Sequence, residues 1–295
     1  MAGCPSASGP RPLSVRRERA QAQWSRSYEP ALPLLTGSCS CPPPNERACS
    51  RSVRVDPRFD GGGPRSVRMS SHKRLLRWAV DGTWEKIFAA VLAAADADDD
   101  IGWTASVDST VCRAHQHAAG ARKKGDPVQG EPADHALGRS RGGLSAKVHL
   151  ASDLHARPLA ITVTAGQAGD APAFTAVMAA LRVPRTGRGR PRTRPDIVIA
   201  DRAYSSRAIR SHLRERRIRA VIPQPVDQTR NRLRRGPRGG RPPSFDADAY
   251  KQRNTVERCV NRLKQWRGLA MRTDKLAIAY QAALHLAAIL IWARR

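Results

Sequence analysis

The sequence predicts an α/β domain, a mixed sheet flanked by helices, behind a basic N-terminal segment expected to be disordered. Three observations carry this reading. Apolar residues alternate through Leu144, Ala146, Val148 and Leu150, and again through Leu159, Ile161 and Val163, which is the period of paired strands. Residues 196–200 form a short run centred on Ile197, Val198 and Ile199, as expected of a strand buried on both faces. Around these runs lie segments whose apolar residues recur at helical spacing. The interleaved order, β-β-β-α-β-α-β-α, is that of helices covering a mixed sheet.

Residues 1–66 are rich in Pro, Ser, Gly, Arg and Cys and contain turn-formers such as Pro42-Pro43-Pro44 and Gly61-Gly62-Gly63-Pro64. With no sustained apolar period, such a segment gains too little burial to offset the entropy of ordering, so disorder is expected. Residues 67–100 read as a helical lead-in. Leu75, Leu76 and Trp78, then Trp84, Ile87, Phe88, Val91 and Leu92, lie at helical spacing over residues 72–80 and 83–95. Asp96, Asp98, Asp99 and Asp100 end the second helix and read as a solvated loop rather than a metal site.

Residues 101–295 form the main domain. The run Ala105-Ser106-Val107-Asp108 reads as a strand running into an acid, followed by a hairpin of residues 143–150 and 159–164 joined through residues 153–156. A helix is expected over residues 174–181. The strand at 196–200 then joins the first in parallel, bringing Asp108 and Asp201 together at a sheet end, where ligands gather in such folds. A helix over 206–216, a fifth strand over 219–222 and a C-terminal core helix over 282–292 complete the order. No apolar run is long enough to span a bilayer.

Of the 295 residues, Lys and Arg number 52 against 25 Asp and Glu, a net charge of +27. Such a field recruits a polyanion and makes its affinity salt-dependent. Charge by itself says nucleic acid and no more, since structural nucleic-acid proteins share it. The cysteines form no framework: Cys39-Ser40-Cys41 lacks the two-residue gap of a zinc knuckle, and no His precedes His72, so free thiols in a cytosolic protein are expected. His115-Gln116-His117 is open to a metal pair or to solvated or DNA-touching histidines. Gly187-Arg188-Gly189-Arg190-Pro191 is similar to the core of a minor-groove AT-hook. Arg232, Arg234, Arg235 and Arg238, within residues 230–241, read as a mobile strand that follows phosphates or as a solvated linker.

The most specific pattern is Tyr250, Arg253, Glu257 and Lys264. At about 100° per residue, these four fall within an arc of roughly 60° on one helix. Val256, Cys259, Val260, Leu263 and Trp266 form an apolar stripe beside them. A lone carboxylate among cations suits a site for a metal and a phosphodiester; it also suits a solvated face with helix-compatible charge pairs. The order strand-Asp108, strand-Asp201, helix-Glu257 favours the site, because an ionised carboxylate at the end of a buried strand needs a partner such as a divalent cation.

Asp108 in Val-Asp-Ser-Thr, Asp201 in Ala-Asp-Arg-Ala-Tyr and Glu257 in Tyr-x2-Arg-x3-Glu-x6-Lys resemble the DDE triad of bacterial insertion-sequence transposases. More narrowly they are similar to the insertion-sequence four/five superfamily, with its Tyr-Arg-Glu-Lys signature. The segments His72-Lys73-Arg74, Asp81-Gly82-Thr83-Trp84, Arg139-Ser140-Arg141-Gly142-Gly143 and Lys264-Gln265-Trp266-Arg267-Gly268 fit the same group, so the resemblance covers residues 69–295. It implies a ribonuclease-H-like catalytic fold, two Mg²⁺ or Mn²⁺ ions and DNA strand transfer. It further implies that Asp108 bridges both ions, with Asp201 and Glu257 holding one each. Lys264 and Arg253 would hold phosphates, and Tyr250 would orient the backbone, with a Tyr nucleophile left open by the residues alone. Terminal inverted repeats and target DNA, a homodimer assembled on DNA, and a cytoplasmic, nucleoid-associated location are the matching expectations.

Related transposases begin with a folded helical region that residues 1–66 do not resemble. A frameshift or a misassigned start near Met69 would give this onset, so a degenerate copy is one expectation. A remnant that only binds DNA, and a nuclease without strand transfer, are the alternative functions.

Overall fold

A computed structural model of the chain describes residues 71–122 and 128–294. The disordered or degenerate segment expected over 1–66 lies outside the described residues. Two helices lead in, α1 (Ser71–Val80) and α2 (Thr83–Ala97). They are joined through Gly82, whose φ of 72° is a left-handed conformation that glycine adopts without strain. Trp78 and Trp84 meet edge-on across this turn, with ring centroids 5.1 Å apart. Phe88 and Leu92 of α2 are buried in the main core.

The sheet follows: β1 (Thr104–Ala114), β2 (Gly138–Ser140), β3 (Gly143–Ser152) and β4 (Pro158–Ala165). Helix α3 (Asp170–Ala180) leads to β5 (Ile197–Ala200), α4 (Arg207–Glu215), β6 (Arg219–Val221) and α5 (Val226–Arg234). Helix α6 (Asn254–Lys264), the short β7 (Met271–Arg272) and α7 (Ala277–Ala293) complete the domain. β4, β3, β1, β5 and β6 lie side by side, antiparallel across β3 and parallel from β1 through β5 to β6. This is the mixed sheet, flanked by helices, that the sequence predicts. Ala105, Val107, Val148, Leu150, Val198 and Ala200 are buried in its core. Among the described residues no helix is long and apolar enough to cross a membrane.

Several boundaries differ from expectation, each for a physical reason. β1 continues six residues past Asp108, because Ser109–Arg113 pair with β3 even though they are mostly polar; Asp108 therefore lies mid-strand, not at a strand end. Helix α3 starts at Asp170 rather than 174, with Asp170 in its first turn, where a carboxylate is favoured by the helix dipole. The Arg-rich segment expected to be a mobile strand is helical over Val226–Arg234, entered from Pro225, and continues as a 3-10 turn over Gly236–Gly239. The signature helix is not one α-helix: Ala247–Tyr250 is α-helical, Lys251–Arg253 winds as 3-10, and α6 resumes at Asn254. A 3-10 turn brings residues three apart closer to eclipse, so Tyr250 and Arg253 align more nearly than an α-helix would allow. The 115–117 histidines enter a four-residue helical turn, where His115 Nδ1 accepts a hydrogen bond from the His117 backbone at 3.3 Å.

The β3–β4 connection is fixed by a buried ion pair. Asp153, fully buried, accepts from Arg157 Nε at 2.8 Å and Nη2 at 2.7 Å and from the backbone N–H of His155 and Arg157. The Arg157 guanidinium also reaches Asp100 at 2.7 Å and lies 3.9 Å from the Trp292 ring of α7. One guanidinium thus joins the hairpin, the end of α2 and the last helix. Removing its buried counter-charge leaves a cation in the core, so Asp153→Ala is expected to lower unfolding free energy by about 3 kcal/mol in urea titrations. A loss below about 1 kcal/mol would show that Asp100 alone suffices.

Candidate active site

Parallel pairing sets the first two carboxylates. Ser106 stands opposite Ile199 and Val107 opposite Ala200, so the next residues on each chain, Asp108 and Asp201, are neighbours. Asp201 leaves the sheet and caps the 3-10 turn Arg202–Tyr204, accepting from the Ala203 backbone at 2.8 Å. Asp108 accepts from the Ser109 backbone at 2.8 Å.

The third carboxylate arrives on α6, which is laced to β1 along one face of that strand. Thr255 Oγ1 donates to Ser106 Oγ at 3.0 Å, both residues being fully buried. Arg253 Nη1 donates to Asp108 at 3.3 Å, and Lys264 Nζ donates to Thr110 Oγ1 at 2.6 Å. Residues 106, 108 and 110 share this face because side chains alternate along a strand. The expected apolar stripe holds α6 down, with Val256, Cys259 and Leu263 buried and Val260 and Trp266 packed against the core. One turn beyond Arg253, Glu257 is exposed on the α6 surface and is hydrogen-bonded to Arg253 Nη2.

The electrostatics are those of crowded carboxylates around a cation. Burial raises the Asp108 pKa; the Ser109 hydrogen bond and the Arg253 charge pull it down, while Asp201 and Glu257 push it up, for a net rise. Burial disfavours the Arg253 charge, yet Glu257, Asp108, Tyr250 and Asp201 outweigh it and its pKa is raised. Among the described residues no three His, Cys, Asp or Glu groups converge on one point. Glu257 is turned onto the guanidinium, which also takes Asp108. The donor set is carboxylate oxygen throughout, which suits a hard divalent cation, and the position between Asp108 and Glu257 is one where positive charge is favoured.

Behind β1 lies a polar group that the sequence reading did not single out. Ser109, pointing away from α6, donates to Asp170 of α3; Lys147 Nζ donates to Asp170 at 3.0 Å and to the Ala168 carbonyl at 2.7 Å. Burial raises the Asp170 pKa, but the Ser109 and Lys147 hydrogen bonds and the Lys147 charge hold it below the usual range. Tyr204 is buried here, and its pKa is raised by burial and by the charges of Asp170, Asp108 and Asp201. The signal that could have found Asp170 is its place one residue after Gly169, at a helix start.

The other expected residues are spread more widely. Tyr250 is half-buried, its ring 5.3 Å from that of Phe245. Arg232, Arg234, Arg235 and Arg238 lie on the end of α5 and the turn after it, outside the α6 face. Arg234 is engaged with Asn231 at 3.2 Å.

The family model for the transposase DDE domain matches residues 102–292. A protein assigned as the transposase of insertion sequence element IS6501 of Brucella ovis is 30% identical over 151 residues, which are 51% of this chain and 100% of that protein. One assigned to insertion sequence element IS402 of Burkholderia cepacia is 32% identical over 172 residues, 58% of this chain and 71% of that protein. Among solved structures, the Mos1 transposase paired-end complex with left transposon end covers 84% of this chain and 69% of its own, at 10% identity and a TM-score of 0.25. That likeness is too slight to argue from.

The raised Asp108 pKa fixes the sign of a stability effect. In the folded state the carboxyl binds its proton more tightly than in the unfolded chain, so ionising it costs stability as pH rises through the window above the ordinary value of about 3.9. Asp108→Asn is therefore expected to raise the melting temperature of metal-free protein at pH 7, with the gain shrinking toward pH 3.5. A variant that melts lower than its parent at pH 7 would contradict this assignment.

Proposed function

Because the chain belongs to the transposase DDE domain family, we propose that it cleaves and joins DNA strands of an insertion sequence using Asp108, Asp201 and Glu257 as its divalent-cation ligands. The observation that carries the residue assignment is the β1–β5 register, which makes Asp108 and Asp201 neighbours, with α6 bringing Glu257 to the same side through Arg253. Two Mg²⁺ or Mn²⁺ ions, when bound, activate the attacking oxygen and neutralise the leaving one.

The chain's own residues prepare that chemistry. Asp108, which interacts electrostatically with both Asp201 and Glu257, would be the ligand shared between the ions, and Asp201 and Glu257 would each hold one. Arg253 pairs with Asp108 and Glu257, and its planar fork would suit a phosphate were those carboxylates to hold a metal. Lys264, fixed by Thr110 and Val111, supplies a positive charge two turns along from Glu257, and Tyr250 flanks the same face for the sugar-phosphate backbone. Ser109, Asp170 and Lys147 keep β1 in place from behind. Terminal inverted repeats and target DNA are the proposed substrates, and a homodimer on DNA is the proposed assembly, since joining requires two ends together. Residues 101–295 are proposed as the catalytic domain and 67–100 as its lead-in.

Asp108→Asn, Asp201→Asn and Glu257→Gln keep side-chain shape but remove the charge that holds a hard cation. Each is expected to abolish Mg²⁺-dependent cleavage of terminal-repeat DNA while leaving gel-shift affinity largely intact. Lys264→Ala is expected to lower turnover more than affinity. Near-parental cleavage by any amide variant would remove that residue from the triad, and DNA binding without cleavage by the parent would favour a remnant that only binds.

A further inference from the structure

A groove of about 620 Å³ lies between α4 and α5 and is closed by the 3-10 turn Gly236–Gly239. Arg207, Arg210 and Arg214 line one wall, at steps of three and four residues that place them on one face of α4. Arg232, Arg235 and Arg238 line the other, at steps of three through the end of α5 and the 3-10 turn, where such residues come into line. Arg241 also borders it, and the remaining lining includes Gln224, Gln228 and Asn231 but no acidic residue.

Two facing rows of guanidinium groups repel one another unless an anion lies between them. Elsewhere in the domain Arg157, Arg192, Arg219 and Arg253 each have a carboxylate partner. Among the described residues none of the groove arginines forms an ion pair. Arg210 is anchored by one hydrogen bond to the Ile222 carbonyl at 2.8 Å. Its Nε and that of Arg232 are buried without partners, and such donors are costly to leave unmet. With seven arginines and no acidic residue in its lining, the groove is suited to an anion.

The groove is also close to the carboxylates. Ser205 lines it and lies four residues after Asp201, at most about 14 Å along the chain. We propose that this groove holds two or three consecutive phosphates of the DNA strand leading away from the scissile phosphate. The inference rests on the reading of the protein as a DNA-cleaving transposase, and it adds a second contact region supplied by α4, separate from the Tyr250–Lys264 face. Arg234, engaged with Asn231 and absent from the lining, is not part of it.

The test compares parent, Arg210→Gln/Arg232→Gln/Arg235→Gln and the matching triple Lys variant, by anisotropy of a fluorescein-labelled 30-base-pair duplex from low to moderate salt. Each phosphate contact on duplex DNA contributes about 0.9 to the slope of log affinity against log salt. The Gln triple is expected to lose about 2–3 from that slope, and the Lys triple to keep most of it. If the Gln triple does not fold by circular dichroism, exposed Arg235→Gln alone should lose about 0.9. A parental slope in the Gln variant overturns the groove while leaving the catalytic reading intact, and a reduced slope beside a parent that cannot cleave supports the groove while removing the catalytic reading. A parent that binds no DNA overturns both. Stabilisation of the parent but not the variant by sodium pyrophosphate, with slopes unchanged, would make this a small-anion site and overturn the DNA assignment.

Discussion

A partly buried carboxylate on β1, Asp108, lies beside a second, Asp201, just past the end of β5, and the elements around them are arranged to offset that cost. Partial burial of Asp108 is the larger cause of its raised pKa, and the β1–β5 pairing adds to it by bringing Asp201 alongside. Arg253 offsets part of it by pairing with Asp108 and Glu257. For Arg253 to sit there, the segment ahead of α6 must press onto β1. The buried Ser106–Thr255 hydrogen bond and the stripe of Val256, Cys259 and Leu263 hold it in that position. The candidate site is therefore a set of like charges joined through one guanidinium and held by a packed helix.

Two basic regions adjoin this cluster. Arg253, just ahead of α6, and Lys264, at its end, are tied to β1, so their charges are fixed relative to the carboxylates. Past Asp201 the chain enters the 3-10 turn Arg202–Tyr204 and then α4, whose arginines are left without carboxylate partners among the described residues. The first arrangement suits positioning of one reacting phosphate, since preorganised groups lose little entropy on binding. The second suits holding a strand by charge, where contacts add affinity with less demand on geometry.

The neighbouring placement of Asp108 and Asp201 was expected from the sequence, where the apolar run at 197–200 marks a buried strand ending in an acid; its parallel pairing with β1 is supplied by the folded sheet. The buried stripe on α6 was equally legible from its spacing. The polar half of β1 was not: Ser109, Thr110 and Arg113 carry no apolar period, and their strand pairing is supplied by β3. Helix α5 was missed because its apolar residues, Val226 and Leu233, are both exposed, so no buried face marks it. Asp170 was missed because its role depends on Ser109 and Lys147, which meet it only through the folded sheet. Sequence periodicity records burial, and these features are built from polar contacts.

The most direct measurement is an anomalous difference map from crystals soaked in Mn²⁺. The account predicts manganese within bonding distance of the Asp108 and Asp201 carboxylates, with Glu257 turned toward it and the Arg253–Glu257 pair parted. Manganese bound only elsewhere, with Arg253 still paired to Asp108 and Glu257, would contradict the assignment of these three carboxylates as the metal ligands.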